Sequence, residues 1–118
     1  MESNAENDVK GILRVAIKDK AHLYHSYIPF FLNGGLFVQT HKEYVLGEEV
    51  FILLMLPETT ERIPVGGQVA WLSPARAEGN RPAGIGIQFG SDEGKDLRKR
   101  IEAMLVGIMD SGRPTFTL

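Results

Sequence analysis

Residues 49–89, EVFILLMLPETTERIPVGGQVAWLSPARAEGNRPAGIGIQF, read as three successive strands. The near-continuous apolar run Glu49 to Leu56 suits a strand covered on both faces. Pro57-Glu58-Thr59-Thr60 ends it. Ile63, Val65, Val69 and Trp71 then stand at odd positions around Gly66-Gly67, which predicts one long strand bent at a bulge, the bend a barrel corner uses. After a polar loop at residues 75–82, Ile85, Ile87 and Phe89 alternate with Gly84, Gly86 and Gln88, the period of a strand.

Working outward, GILRVAIK (Gly11 to Lys18) puts Leu13, Val15 and Ile17 on one side and Arg14, Ala16 and Lys18 on the other, again the period of a half-buried strand. DKAHLYHSYIPFFLN (Asp19 to Asn33) has no clean alternation and carries a proline at Pro29. Asn33-Gly34-Gly35 supplies residues that accept positive φ, so a tight turn leads into LFVQT. HKEYVLGEE is a polar connection turning at Gly47. Five strands with no helical crossover between them predict a mostly β fold, a small antiparallel β-barrel. From Ser91 the period changes: Leu97, Ile101, Met104, Leu105 and Ile108 recur at helical spacing, opposite Lys95, Arg98, Lys99 and Glu102. A C-terminal α-helix is expected, N-capped by Ser91, helped by Asp92 and Glu93 at its positive end, and stopped by Gly112 and Pro114.

The 118 residues, 43% apolar and 24% charged, suffice for one domain with an ordinary core. Residues 1–9 are polar and acidic and are expected as a flexible N-terminal arm, residues 10–112 as the domain, and 113–118 as a C-terminal tail. There is no cysteine, which removes disulfides, cysteine zinc sites and thiol catalysis. Thirteen Lys plus Arg against fifteen Asp plus Glu leave a net charge of -2, a poor balance for a nucleic-acid partner. No apolar run approaches the roughly 20 residues of a membrane helix, and MESNAENDVK lacks the apolar region of a secretory signal. A cytoplasmic protein without direct membrane insertion is expected.

Candidate chemistry is sparse. His22 and His25 stand three apart, but without cysteine or an acidic pair at ligand spacing they read as surface histidines, and His41 likewise. No serine lies in a Gly-x-Ser-x-Gly elbow. Glu48-Glu49 and Asp92-Glu93 suit solubility and capping better than acid-base work. The spacing of Gly84, Gly86 and Gly90 is not that of a dinucleotide fingerprint, and close packing within the barrel explains Gly84 and Gly86 better. No catalytic residue, metal or cofactor is expected. What stands out is Tyr24, Tyr27, Ile28, Phe30 and Phe31, crowded into one connection. Two or three of them plug the barrel or seat the helix, or the cluster forms a protein interface; for the cluster as a whole the interface leads. Trp71 reads as core or rim. In the tail, Phe116 and Leu118 alternate with Thr115 and Thr117, a pattern that suits strand addition or docking in a partner's groove.

The succession LNGGLFVQT, GEEVFILLMLP, RIPVGGQVAWLSP and AGIGIQF before a helix resembles the PilZ domain over about residues 10–110. Ordinary members of that family are receptors for the bacterial messenger cyclic di-GMP, gripped by an Arg-x-x-x-Arg arm ahead of the barrel and an Asp/Asn-x-Ser-x-x-Gly turn entering it. The matching window here is Phe30-Phe31-Leu32-Asn33-Gly34-Gly35. It keeps the final glycine, while Phe30 and Leu32 replace the polar positions. The arm has no arginine, and the four-apart basic pair Arg14 and Lys18 lies within the first strand. The bidentate forks that would hold phosphates and guanines are missing.

HLYHSYIPFF, NGGLFV, LGEEVF and GNRPAGIGIQF are similar to the divergent branch of this family that serves type IV fimbriae assembly. That resemblance implies an adaptor that binds the assembly ATPase PilB and the degenerate signalling protein FimX, with no cyclic di-GMP binding of its own. The alternative is a receptor that still binds the dinucleotide weakly.

Overall fold

A computed structural model describes residues 5–9, 12–74 and 82–106. In chain order the elements are β1 (Ala5–Val9), β2 (Ile12–Ala16), α1 (Lys20–Ser26), β3 (Gly35–Gln39), β4 (Glu49–Met55), β5 (Ile63–Ser73), β6 (Gly84–Phe89) and α2 (Ser91–Met104). The strands form one sheet in the order β1-β2-β4-β5-β6-β3, curled into a half-barrel. The mostly β fold with a C-terminal helix is the one the patterning predicts.

The sequence-based expectation differs from the structure in six places. Ala5–Val9 lies in the expected flexible arm but forms β1, pairing Ala5 with Val15 and Val9 with Ile12. This pairing satisfies backbone groups along the edge of β2, and polar composition is blind to that gain. The sheet is not wholly antiparallel, because β2 and β4 run parallel from Ile12–Phe51 to Ala16–Met55. The chain leaves β2, passes through α1 and the far-edge strand β3, and returns beside β2 in the same direction, as a parallel pair requires. β4 is covered on one face only. Val50, Ile52 and Leu54 are buried while Phe51 is 41% exposed.

The bulge of β5 is not at the glycine pair, since Val50–Gly67 and Phe51–Gly66 hold ordinary register. It falls between Val69 and Trp71. Lastly, Ser91 is the first residue of α2 and Gly90 its N-cap. Gly90 N–H still donates to Gly66 O at 2.8 Å, so the helix starts directly from the sheet, one residue earlier than capping by Ser91 requires. α2 ends at Met104 with Leu105 as C-cap, ahead of the expected stop, whose Gly112 and Pro114 lie outside the described residues, as does Ile108.

α1 lies in the 19–33 segment, where no clean alternation marks an element. Its N-cap is Asp19, whose carboxylate accepts from His22 N–H at 2.8 Å, the ordinary way to satisfy a first-turn donor. The main core joins Leu13 and Val15 of β2, Leu36 and Val38 of β3, Ile52 and Leu54 of β4, Val65 and Val69 of β5, and Ile85, Ile87 and Phe89 of β6. Leu23 of α1 and Leu97, Ile101 and Leu105 at the α2 end close it. Burial of each such side chain contributes roughly 1.5–3 kcal/mol.

Candidate interaction site

β6 organises the site. Its isoleucines enter the main core, so the intervening Gly86 faces the other side of the sheet. There Gly86 is the register partner of Phe37 on β3 and of Trp71 on β5. A β-carbon at Gly86 would stand 2.6 Å from Trp71 Cβ and 3.0 Å from Ile28 Cδ1, closer than atoms pack. The missing side chain thus makes room for a second apolar cluster outside the main core: fully buried Ile28 and Phe37, with half-buried Trp71.

The chain reaches this cluster from α1. Tyr27 bridges to Leu36 and Ile28 N–H donates to Gly35 O at 2.9 Å, which guards part of the β3 edge. The loop then turns back at Gly34, whose φ of 77° is the left-handed region that glycine adopts without a side-chain clash. The turn puts Phe30 on Trp71, ring centroids 5.9 Å apart, and against Phe31 edge-on at 5.1 Å. Phe30 is 47% and Leu32 81% exposed, so Phe30, Leu32 and the rim of Trp71 form an outward apolar patch.

α2 holds that loop from beneath. The Arg98 guanidinium donates to Pro29 O and Leu32 O, each at 3.1 Å, and to Phe31 O at 3.3 Å. Its Nε donates to Glu102 Oε2 at 3.1 Å, and the Tyr27 hydroxyl donates to the same oxygen at 2.6 Å. Burial first, and then the hydrogen bond to Glu102, push the Tyr27 phenol well above its ordinary range. Asn33 Nδ2 reaches Phe89 O at 3.4 Å, so the one polar side chain retained in the 30–35 window is turned to the protein's own backbone.

Of the residues singled out in the sequence, Tyr24, Tyr27 and Ile28 lie inside, at 7%, 2% and 0% exposure. Phe31 is half-buried and Phe30 faces outward. Phe116 and Leu118 lie outside the described residues. Sequence reasoning missed Leu32 and Arg98 as members of the site and undervalued Trp71. The Ile-Gly alternation of β6 was the available signal, because a strand that omits side chains on one face must receive them from its neighbours.

Two other features compete. A hollow of ≈ 740 Å³ is lined by Thr40, Tyr44, Val45, Leu72, Ser73 and Ile85 among others. The two buried polar side chains in its wall are already engaged: Thr40 Oγ1 accepts from Lys42 N–H and Ser73 Oγ donates to Pro82 O, both at 3.1 Å. At the histidines, burial lowers the His22 pKa, and His22 Nδ1 accepts from Lys18 N–H at 3.2 Å. No group of three or more metal-ligating side chains is gathered among the described residues, nor does any helix among them have the length and apolarity to cross a membrane.

A curled, mostly β sheet with a helix following its last strand and a glycine turn entering β3 is the frame of a small half-barrel binding domain. Comparison with known families matches residues 9–107 to the PilZ domain, and the chain belongs to that family. Its members are in general non-enzymatic binding domains, with receptor or adaptor roles connected with cyclic di-GMP. No curated protein matches the chain.

Proposed function

We propose that this chain is an adaptor of type IV pilus assembly in the cytoplasm, joining a PilB-type assembly ATPase to a FimX-type signalling protein without binding cyclic di-GMP itself. The observation that carries the reading is the state of the 30–35 window. Where the family's ligand turn has polar side chains, this chain presents Phe30 and Leu32 to solvent. A dinucleotide needs polar partners at that turn and arginine forks for its phosphates, whereas an exposed aromatic beside a tryptophan is the usual anchor of a protein interface. Ile28 supports the patch from within and Phe31 flanks it, while Tyr24 and Tyr27, buried in the main core, remain proposed contacts only through the loop they anchor.

An adaptor must hold two proteins at once. A second exposed apolar spot supports that requirement: Ile12 and Phe51 are register partners on β2 and β4, each 41% exposed. Phe116 and Leu118 remain proposed contacts for one partner. Isothermal calorimetry decides between this reading and that of a weak dinucleotide receptor. Saturable binding of the ATPase with no heat from cyclic di-GMP is the expected result, and micromolar or tighter dinucleotide binding overturns it.

A further inference from the structure

We infer that Arg98 is a positioning residue for the interaction patch: from α2 it holds the 29–32 loop so that Phe30 stays against Trp71. The inference rests on the reading of that patch as a partner surface and names the device that forms it in advance of binding.

Every donor nitrogen of the guanidinium is in use. Nη1 donates to Phe31 O and Leu32 O, Nη2 to Pro29 O, and Nε to Glu102 Oε2. The three carbonyls come from four consecutive residues, and the residue between Pro29 and Phe31 is Phe30. A loop whose carbonyls converge on one planar cation has little freedom to rotate its peptides. The loop's own bond, Gly34 N–H to Phe31 O at 3.0 Å, closes the turn without tying it to the body of the protein.

Arg98 is in turn fixed. Glu102 lies one helical turn further along α2, with its Oε2 shared by Arg98 and by Tyr27 at the root of the loop. Both ends of the segment carrying Phe30 therefore report to one carboxylate. Pre-forming an aromatic anchor reduces the ordering cost paid at binding, so loosening Arg98 should weaken a partner without removing any atom the partner touches. Lysine is the informative replacement, because a single ammonium keeps charge and stem but lacks the planar fork.

Trp71 is the only tryptophan and touches Phe30, so its emission reads the loop directly. The experiment compares the parent, Arg98→Lys and Phe30→Ala by Trp71 emission wavelength, acrylamide quenching and melting, followed by titration with the PilB-type ATPase. Arg98→Lys is expected to shift emission to the red and to raise quenching in the direction of Phe30→Ala, with about ten-fold weaker ATPase binding. Emission and quenching identical to the parent overturn the inference, whatever the affinity does. A changed emission with parental affinity in both variants supports the positioning role and overturns the reading of the patch as the ATPase surface. Should Arg98→Lys fail to fold, Glu102→Gln removes the charge that pairs with Arg98 while leaving an acceptor for Tyr27, and the same two optical readouts decide.

Discussion

The Tyr27 hydroxyl donates to Glu102 Oε2 at 2.6 Å across 75 positions of sequence, joining the root of the 29–32 loop to the helix that packs beneath it. Burial and the adjacent carboxylate raise the phenol's pKa in the folded protein. The folded state therefore keeps this proton where an unfolded tyrosine, near pH 10, would lose it. The stabilisation is complete below about pH 10 and is lost as pH rises beyond it. Tyr27→Phe should cost about 0.5–3 kcal/mol near neutrality, and the gap between parent and variant should narrow above about pH 10. Denaturant titrations across pH 7–11 measure it.

Phe30→Ala removes an exposed ring that contributes little to the core. Its melting temperature should stay close to the parent's, while affinity for the PilB-type ATPase falls about ten-fold or more, as for a central aromatic anchor. Unchanged affinity by calorimetry would move the interface elsewhere.

Gly86→Ala is the smallest possible addition, and it lands between Trp71 Cβ and Ile28 Cδ1. One atom is strand backbone-proximal and cannot swing away, so overpacking should destabilise by about 1–3 kcal/mol. A denaturation midpoint equal to the parent's would show that β5 and β6 yield more readily than their register suggests.

Ile101 is fully buried on α2. Ile101→Asp places an unpaired carboxylate in the main core, at a cost of several kcal/mol, against a total stability of about 5–15 kcal/mol. Loss of cooperative melting is expected. A variant that melts like the parent would mean that α2 is not docked as described.

Much of this architecture was legible because burial on one face leaves a period in the chain. Leu13 and Val15, Ile85 and Ile87, and Leu97 and Ile101 each repeat at the spacing of their element, so the five strands β2 to β6 and α2 could be read directly. β1 could not, because its pairing gains backbone hydrogen bonds rather than apolar burial. The apolar run of β4 overstated its covering: Phe51 is as hydrophobic as Ile52, and composition alone does not say which side of a sheet has a partner layer. At the site, the crowd of aromatic residues was visible, yet its division was not. Ile28 turns inward because a strand across the sheet omits a side chain, a relation between residues 28 and 86 that no local window contains. Arg98 looked like one more charge on the solvent side of a helix, since a backbone carbonyl leaves no mark on the sequence that receives it.

The sheet order has a consequence for how the chain is made. β4, β5 and β6 pair with their sequence neighbours, whereas β3 has β6 as its sheet partner, Gly35 with Gln88 through Gln39 with Gly84. During synthesis β3 emerges long before the strand that will shelter its inner edge, and it must wait through the whole of β4 and β5. The apolar GLFVQ segment is thus the nascent chain's most prolonged unprotected edge, the point at which a ribosome-associated chaperone has the most to shield. Pulsed hydrogen exchange during refolding should find the amides of β3 protected after those shared by β4 and β5.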